Sequence, residues 1–179
     1  MVDPKWVLAM MLAAQPNAPW RASYEKTAEA IAKVASAKPL FSERSGGADR
    51  TAALIVSVAW FEGTFRPDAE GDHECLERDR ERRCVRKGAP RSFCTMQVHE
   101  SNFRALGVTR ELLTTDIEAC IDAGVRMMRV SFTICRNEPE DHRLDQYATG
   151  GGGCMRPPND EGAHRWRKGA WLFAHVPRP

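Results

Sequence analysis

The sequence predicts a mainly α-helical fold with a small β-hairpin, contained in one domain. Apolar residues recur at helical spacing in several segments, and proline or glycine residues separate these segments. One short stretch alternates apolar and polar residues, which is typical of a strand. The chain has 179 residues, of which 42% are hydrophobic and 28% are charged. This length and composition are those of a globular domain that buries a core without help from a metal or disulfides.

Residues 1–49 are predicted to form an N-terminal helical part. The apolar run Val7–Ala14 has a weakly basic start, and Gln15-Pro16 spoils a cleavage site after it, so we interpret it as a first helix and not as a signal peptide. Helical spacing resumes over Tyr24–Ala37, before a proline ends it. No segment of the sequence is apolar for long enough to predict a membrane span.

A central helix is predicted over Arg50–Glu62, after a loop at Ser45–Gly47. Asp49 has a side chain that can cap the first turn. Apolar residues cover nearly the whole circumference of this helix, which is typical of a helix buried at the centre of a domain. Its last turn carries one acid, Glu62. Residues 50–153 form the predicted core segment that contains this helix.

Residues 68–91 are dense in charge of both signs and are predicted to be a surface insertion. Ser92–His99 has the alternation of one strand of a hairpin, and Ser101–Leu106 is predicted to be a helical turn. The whole chain has 26 basic and 24 acidic residues, for a net charge of +2. This balance gives no reason to expect a nucleic-acid partner.

A long helix is predicted to begin at a capping box formed by Thr115 and Glu118 and to run to about Cys135. The apolar residues along this segment recur at helical spacing, which indicates that one face packs on the core. Leu144–Tyr147 is ambiguous between helix and strand. Gly150–Gly153 is predicted to be a loop.

Residues 154–179 are predicted to form a C-terminal helix that Asn159 caps and that ends near His175. Apolar side chains at helical spacing are expected to dock this helix on the core, while its charged side chains face water. The apolar residues are Ala163, Trp166, Ala170 and Phe173, and the charged residues are Arg165, Arg167 and Lys168.

Glu62 begins an ordered series of short motifs. Phe65, Pro67 and Ala69 follow it in the pattern E-x-x-F-x-P-x-A, and the later motifs are Met96-Gln97-Val98, Ile121-Asp122-Ala123-Gly124 and Tyr147-Ala148-Thr149-Gly150. The series resembles the soluble lytic transglycosylase and goose-type lysozyme superfamily, whose members cut the glycan strands of peptidoglycan. The resemblance covers roughly residues 50–153, and its specificity lies in the order of the motifs.

The resemblance implies a lysozyme-like fold, in which a central buried helix carries the catalytic acid and a hairpin borders the glycan cleft. It implies that Glu62 is the catalytic acid/base, that Met96 and Gln97 line the cleft, and that Tyr147 lies close to the acid. Phe65 joins the expected substrate-binding residues. Peptidoglycan is the implied partner of a monomeric enzyme that needs no cofactor.

The chain departs from the family pattern at positions close to the implied acid. Gly63 stands where the family usually has serine. Cys120 and Ala148 each stand where the family has asparagine. These departures concern contacts around the substrate, and they leave the acid, the cleft glutamine and the tyrosine in place.

A glycosidic oxygen must be protonated as its bond breaks, so the acid must keep its proton near neutral pH. Trp60, Phe61 and Phe65 flank Glu62 in the sequence. An apolar pocket disfavours the charged form of a carboxyl group and raises its pKa. We therefore predict a raised pKa for Glu62.

The outcome of the reaction depends on what attacks the anomeric carbon. A lytic transglycosylase uses a hydroxyl of the substrate and can work with one glutamate, whereas a hydrolase needs a second carboxylate. Asp68, Glu70 and Asp72 are the candidates for that carboxylate. We favour a lytic transglycosylase that cleaves the β-1,4 bond between MurNAc and GlcNAc. The alternative is a hydrolytic goose-type-like lysozyme, such as a phage endolysin or a virion-associated murein hydrolase.

Two other classes of function are open. A metal-binding module would use a cluster of histidine and cysteine residues, but their spacing contains no C-x-x-C pair, and no metal site is expected. A non-catalytic binder of the anionic cell wall would use the basic insertion and the C-terminal helix. The first would use His73, Cys75, Cys84 and Cys94, and the second Arg165, Trp166, Arg167, Lys168 and Trp171.

Six cysteines allow fifteen complete pairings. Cys120 and Cys135 cannot pair if one straight helix holds both, because about 22 Å then separates them and a disulfide needs Cα atoms within about 7 Å. One pairing that suits the predicted elements is Cys75–Cys84, Cys94–Cys120 and Cys135–Cys154. Such disulfides suit an oxidising location, either periplasmic or extracellular, or a phage protein delivered to the cell wall.

Overall fold

The protein has a mainly helical fold with small antiparallel sheets, as predicted. The computed structural model describes residues 1–151, 153–155 and 159–178. The helices are α1 (Pro4–Ala14), α2 (Tyr24–Ala37), α3 (Gly47–Gly63), α4 (Phe103–Leu106), α5 (Arg110–Thr115), α6 (Ile117–Ile134), α7 (Asp145–Thr149) and α8 (Glu161–His175). The strands are β1 (Glu70–Gly71), β2 (Cys75–Arg78), β3 (Cys84–Lys87), β4 (Ser92–Phe93) and β5 (Val98–His99). No helix among the described residues has both the length and the apolar character that a bilayer span requires.

Helix α3 lies at the centre of the core, because every residue from position 51 to position 59 is buried. It begins earlier than predicted, since Gly46 takes a left-handed backbone with φ of 95° and Gly47 is already helical. Asp49 is therefore not the N-cap. It lies in the first turn, where its negative charge interacts favourably with the positive end of the helix dipole. Its carboxylate also pairs with Arg178 at 3.1 Å.

The predicted capping box of the long helix is wrong. The N-cap of α6 is Asp116, whose Oδ1 accepts the backbone N–H groups of Glu118 at 2.9 Å and Ala119 at 3.1 Å. Thr115 instead ends the preceding helix α5, and its hydroxyl donates to the carbonyl oxygen of Glu111. Helix α5 went unpredicted because it is short, and Thr109 caps it.

The C-terminal helix ends at His175 as predicted, but its start differs. Asp160 is the N-cap with a left-handed backbone, whereas Asn159 lies one residue outside the helix. Ala170 is exposed, so it does not dock the helix as predicted. The buried face of α8 is made by Gly162, Ala163, Arg165, Trp166, Gly169 and Leu172.

The stretch Ser92–His99 forms a complete hairpin and not one strand. Strands β4 and β5 pair with each other in antiparallel register, and β1 adds to the other edge of β4. Cys94 and Gln97 turn the chain between β4 and β5 with positive φ angles of 61° and 47°. The charged insertion contains a second hairpin, in which β2 pairs with β3.

All six cysteines are paired in the structure, and the pairing is the predicted one. Cys75–Cys84 closes the β2–β3 hairpin, and Cys94–Cys120 ties the β4–β5 turn to α6. Cys135–Cys154 ties the residue after α6 to the segment that follows α7. The three disulfides are compatible with an oxidising location outside the cytoplasm.

We expect the Cys94–Cys120 disulfide to stabilise the fold more than the Cys75–Cys84 disulfide does. Cys94 and Cys120 are fully buried and close a separation of 26 residues. Replacing both with alanine should lower the free energy of unfolding by about 3–4 kcal/mol, as measured by urea denaturation.

The matched control replaces Cys75 and Cys84 with alanine. This pair closes a separation of only 9 residues on an exposed hairpin, so a smaller loss is expected. An equal or larger loss in the control would contradict the structural role assigned to the buried disulfide.

Candidate active site

A cleft of about 790 Å³ opens where α3 ends. Its walls come from the β2–β3 hairpin with the segment before it, the β4–β5 hairpin, α7 and the first turns of α8. Glu62, in the last turn of α3, reaches this cleft. Asp72, Gln97 and Tyr147 also line it. The fold therefore brings together four residues that the sequence analysis selected from distant positions.

Glu62 forms a buried ion pair with Arg165 of α8. Its Oε1 accepts a hydrogen bond from Arg165 Nε at 2.9 Å and lies 2.8 Å from Arg165 Nη2. The side chains are only 16% and 8% exposed, respectively. Glu161, one helical turn before Arg165, lies 3.6 Å from the same guanidinium. The prediction that Arg165 faces water is wrong, because this side chain is the partner of the candidate acid.

Close packing of α8 against α3 brings Arg165 to Glu62. The Ser57 hydroxyl donates to the carbonyl oxygen of Arg165 at 2.6 Å. Gly169 lies so close to Leu54 that a Cβ there would be 3.0 Å from the Leu54 side chain and 3.1 Å from its Cα. Small residues on this face of α8 let the two helix backbones approach.

The sequence contained a signal for this contact that the sequence analysis missed. Arg165 shares the buried face of α8 with Gly162, three residues before it, and Gly169, four residues after it. A cation on a face of glycines at helical spacing indicates a side chain that enters a closely packed helix contact. The carboxylate that receives it lies 103 residues away, so local spacing does not identify it.

Burial raises the pKa of Glu62 above its ordinary value, as predicted. The positive charge and the hydrogen bond of Arg165 lower the pKa, and the negative charges of Asp72 and Glu161 add to the rise. The environment is therefore less apolar than predicted. Phe61 is 39% exposed, and a guanidinium occupies one side of the acid.

Tyr147 lies beside the acid as a neutral phenol in a fixed position. Its hydroxyl donates to the carbonyl oxygen of Met96 at 2.7 Å, and its backbone N–H donates to Ser131 Oγ at 3.0 Å. Burial raises the pKa of Tyr147 well above its ordinary value, and the negative charge of Glu62 adds to the rise. Tyr147 thus stays uncharged next to Glu62 throughout the neutral pH range.

Gln97 lines the cleft from the β4–β5 turn. Its side-chain Nε2 donates to the carbonyl oxygen of Cys94 at 3.0 Å, which fixes the orientation of the amide. Gly71 of β1 faces this amide, and a Cβ at that position would lie 2.0 Å from Gln97 Oε1. A glycine at position 71 is therefore needed for the observed position of Gln97.

Met96 and Phe65 have structural positions that differ from those the resemblance implied. Both side chains are fully buried, and neither is among the residues that line the cleft. Met96 packs against Gly124, where a Cβ would meet its side chain at 2.5 Å. The Phe65 ring contacts Tyr24 edge to face, with centroids 5.3 Å apart. These residues support the site from the core.

The three candidate second carboxylates occupy different surroundings. Asp72 lines the cleft and accepts a hydrogen bond from the Ser92 hydroxyl at 2.5 Å. Asp68 pairs with Arg66 at 3.3 Å, and Glu70 pairs with Arg110 at 2.7 Å. Asp68 and Glu70 are absent from the cleft lining, so Asp72 is the candidate that shares the cleft with Glu62.

The packing of Gly63 excludes the serine that the family resembled by the sequence usually has at this position. A Cβ on Gly63 would lie 2.7 Å from the Cα and 2.8 Å from the carbonyl oxygen of Thr95. The Thr95 hydroxyl in turn donates to the carbonyl oxygen of Ala59 at 3.3 Å. The β4–β5 turn therefore lies directly on the end of α3, and the contact leaves no space for the serine found in the family.

Disulfide formation removes the thiols that a metal-binding module would need. Cys75, Cys84 and Cys94 are all oxidised, and His73 Nδ1 lies 3.1 Å from the carbonyl oxygen of Gly88. Across the described part of the chain, no group of three or more potential ligands is placed to hold a metal ion.

Comparison with known protein families, curated proteins and solved structures finds no match to this chain. The functional assignment therefore depends on the geometry of the cleft and on the order of the motifs that line and support it.

We expect Gly63→Ser to destabilise the protein by about 1–3 kcal/mol, because the new side chain displaces the backbone of Thr95. Gly153→Ser is the control, since a Cβ there meets no atom of the described residues within 4 Å, and it should change stability by less than about 0.5 kcal/mol. Thermal and urea denaturation measure both effects. Equal stability of the two variants would contradict the close contact.

The raised pKa of Glu62 predicts a specific dependence of stability on pH. The folded protein holds the Glu62 proton at pH values where the unfolded chain has lost it. This contribution is complete below the unfolded pKa and is lost as the pH rises through the raised folded pKa. Glu62→Gln has no such loss. Its free energy of unfolding relative to wild type should therefore increase across this window, as measured by denaturation at a series of pH values.

Arg165→Met tests whether the positive charge of Arg165 lowers the pKa of Glu62. Removing the guanidinium removes the interactions that lower the pKa of Glu62, so the loss of stability should extend to higher pH than in wild type.

For the Glu62→Gln comparison, parallel curves of unfolding free energy against pH for wild type and Glu62→Gln across the acidic range would contradict the raised pKa.

Proposed function

We propose that this protein is a peptidoglycan-cleaving enzyme with a lysozyme-like fold, and specifically a lytic transglycosylase that uses Glu62 as its acid/base. The observation that carries the proposal is the position of Glu62. It lies in the last turn of the central buried helix, lines the cleft of about 790 Å³, and has a pKa that burial raises. A carboxylic acid that keeps its proton near neutral pH is what glycosidic bond cleavage requires.

In the proposed reaction, Glu62 donates its proton to the glycosidic oxygen between MurNAc and GlcNAc as the bond to the anomeric carbon breaks. The resulting carboxylate then accepts a proton from a hydroxyl of the same MurNAc, whose oxygen bonds to the anomeric carbon and closes an anhydro ring. Glu62 is thereby returned to its starting state. Arg165, whose Nε already donates a hydrogen bond to Oε1 and whose Nη2 lies 2.8 Å from it, stabilises the carboxylate between these steps.

Tyr147 and Gln97 are proposed to position the glycan next to Glu62. Tyr147 presents a neutral, buried ring whose hydroxyl is engaged by the β4–β5 turn, so it adds no charge beside the acid. Gln97 has an amide held in one orientation by Cys94. Fixed polar groups of this kind orient a sugar without rearranging when it binds.

A hydrolytic lysozyme is the second candidate, and the position of Asp72 favours it. This carboxylate lines the same cleft as Glu62, close enough to add to the rise in its pKa. A second carboxylate can serve as a base for water or as a nucleophile. The two candidates differ in their products, since hydrolysis adds one water to each cleaved bond and ring closure adds none.

The proposed substrate agrees with the chemistry of the disulfides. An enzyme that acts on the cell wall works outside the cytoplasm, where disulfides persist. We propose a periplasmic or extracellular location, or delivery to the wall by a phage, for a protein that acts as a monomer.

We expect Glu62→Gln to reduce the release of soluble muropeptides from purified sacculi by roughly 10²–10⁴-fold, because glutamine cannot donate the proton. Asp72→Asn should retain activity if ring closure is the mechanism, and Asp68→Asn is the control for an exposed acid outside the cleft. Mass spectrometry of the released fragments identifies the product.

Products with anhydro-muramyl ends support the transglycosylase. Reducing ends that carry added water, together with inactivation by Asp72→Asn, would replace it with the hydrolase. Full lytic activity of a folded Glu62→Gln variant would overturn both candidates.

A further inference from the structure

Helix α8 has an excess of positive charge on its outer face. Glu161 is its one acid, whereas Arg165, Arg167 and Lys168 are cations. Arg165 is used by Glu62, but within the described part of the chain no carboxylate lies within ion-pair distance of Arg167 or Lys168.

Aromatic rings surround one of these unpaired cations. Lys168 Nζ lies 4.5 Å from the centroid of the Trp171 ring and 5.5 Å from that of Trp60. Trp171 stacks on His175 with centroids 5.1 Å apart, and Phe61 contacts Trp60 with centroids 4.6 Å apart. We call this surface the aromatic strip, and it consists of Phe61, Trp60, Lys168, Trp171 and His175.

The aromatic strip is exposed and continuous with the cleft. Phe61 is 39% exposed and Trp171 is 44% exposed, although both are large apolar residues. Arg165, which lines the cleft, lies with its guanidinium carbon 5.7 Å from the Phe61 ring centroid. The strip therefore begins beside Glu62 and extends along α8 towards its C-terminal end.

The chemistry of the strip selects a ligand with two properties. The ammonium group of Lys168 has no carboxylate partner among the described residues and can bind an anion. The exposed rings can pack against an apolar surface. A saccharide polymer that carries carboxylates has both, because the C–H faces of its sugar rings are apolar. Continuity with the cleft favours the same strand that the cleft cleaves, since a glycan leaving the cleft on this side passes Phe61.

We propose that the aromatic strip is an accessory binding site for a carboxylate-bearing glycan strand, and that it holds the strand outside the cleft while Glu62 acts on it. This inference rests on the proposed function for the identity of the polymer. It adds a binding surface formed by α3 and α8 to the walls of the cleft itself.

The test measures binding in the full chain carrying Glu62→Gln, which leaves the polymer intact during the measurement. Cosedimentation with purified sacculi gives the affinity of this parent and of the same chain with Lys168→Glu and Trp171→Ala added. We expect the added changes to weaken binding by about 3- to 30-fold, from the loss of the cation and of its aromatic partner. The retained affinity should also fall as salt is added.

The controls replace exposed residues elsewhere, Lys26→Glu on α2 and Val130→Ala on α6, and they should bind like the parent. Circular dichroism and thermal unfolding verify that each variant is folded. Lys168→Glu alone repeats the test if Trp171→Ala unfolds. Sacculus binding by a folded strip variant equal to that of the parent would overturn the proposal.

Two further outcomes separate this inference from the proposed function. If wild type releases no muropeptides but the strip variant binds sacculi more weakly than the parent, the accessory site stands and the enzyme assignment fails. The second outcome uses vesicles made of equal parts of phosphatidylcholine and phosphatidylglycerol. If the strip variant loses binding to these vesicles but binds sacculi as well as the parent does, the strip binds membranes and the proposal is overturned.

Discussion

The buried ion pair between Glu62 and Arg165 is the interaction on which the cleft depends. An isolated charge in a protein interior costs several kcal/mol, so each of these side chains makes burial of the other tolerable. The pair connects the end of α3 to the first turns of α8, across 103 residues of chain. The pair also sets the pKa of Glu62. Burial raises this pKa, and the positive charge of Arg165 limits the rise. An acid balanced in this way can both donate a proton and recover one.

The opposite wall of the cleft is held by covalent and backbone constraints instead of charge. Cys94 and Gln97 have left-handed backbones, which cost about 1–2 kcal/mol each for residues other than glycine. The disulfide to Cys120 and the contact of Thr95 with Gly63 hold this turn against α6 and α3. Gln97 and Glu62 therefore line the same cleft from two walls that are fixed by independent means. Such a cleft is preorganised before any ligand enters it.

Local periodicity was sufficient to predict the helical class, the bounds of α2 and the burial of α3. It failed at helix starts, because several capping residues compete within one or two positions and tertiary packing selects among them, as at Asp116. The motif order located Glu62 and Tyr147 in one site. It did not reveal that Met96 points into the core, since the direction of a side chain depends on backbone angles that a motif does not encode. Arg165 escaped prediction because its partner is distant in sequence.

The two glycines that flank Arg165 on the buried face of α8 define an evolutionary constraint. A larger residue at Gly169 would meet Leu54 and force α8 away from α3, and a larger residue at Gly162 would meet the backbone of Asp145 at the start of α7. Either change would shift Arg165 relative to Glu62. Any homologue that keeps the ion pair must therefore keep small residues at positions 162 and 169 together with Glu62 and Arg165. Joint retention of these four residues is a signature by which distant relatives can be recognised after the shorter motifs have diverged.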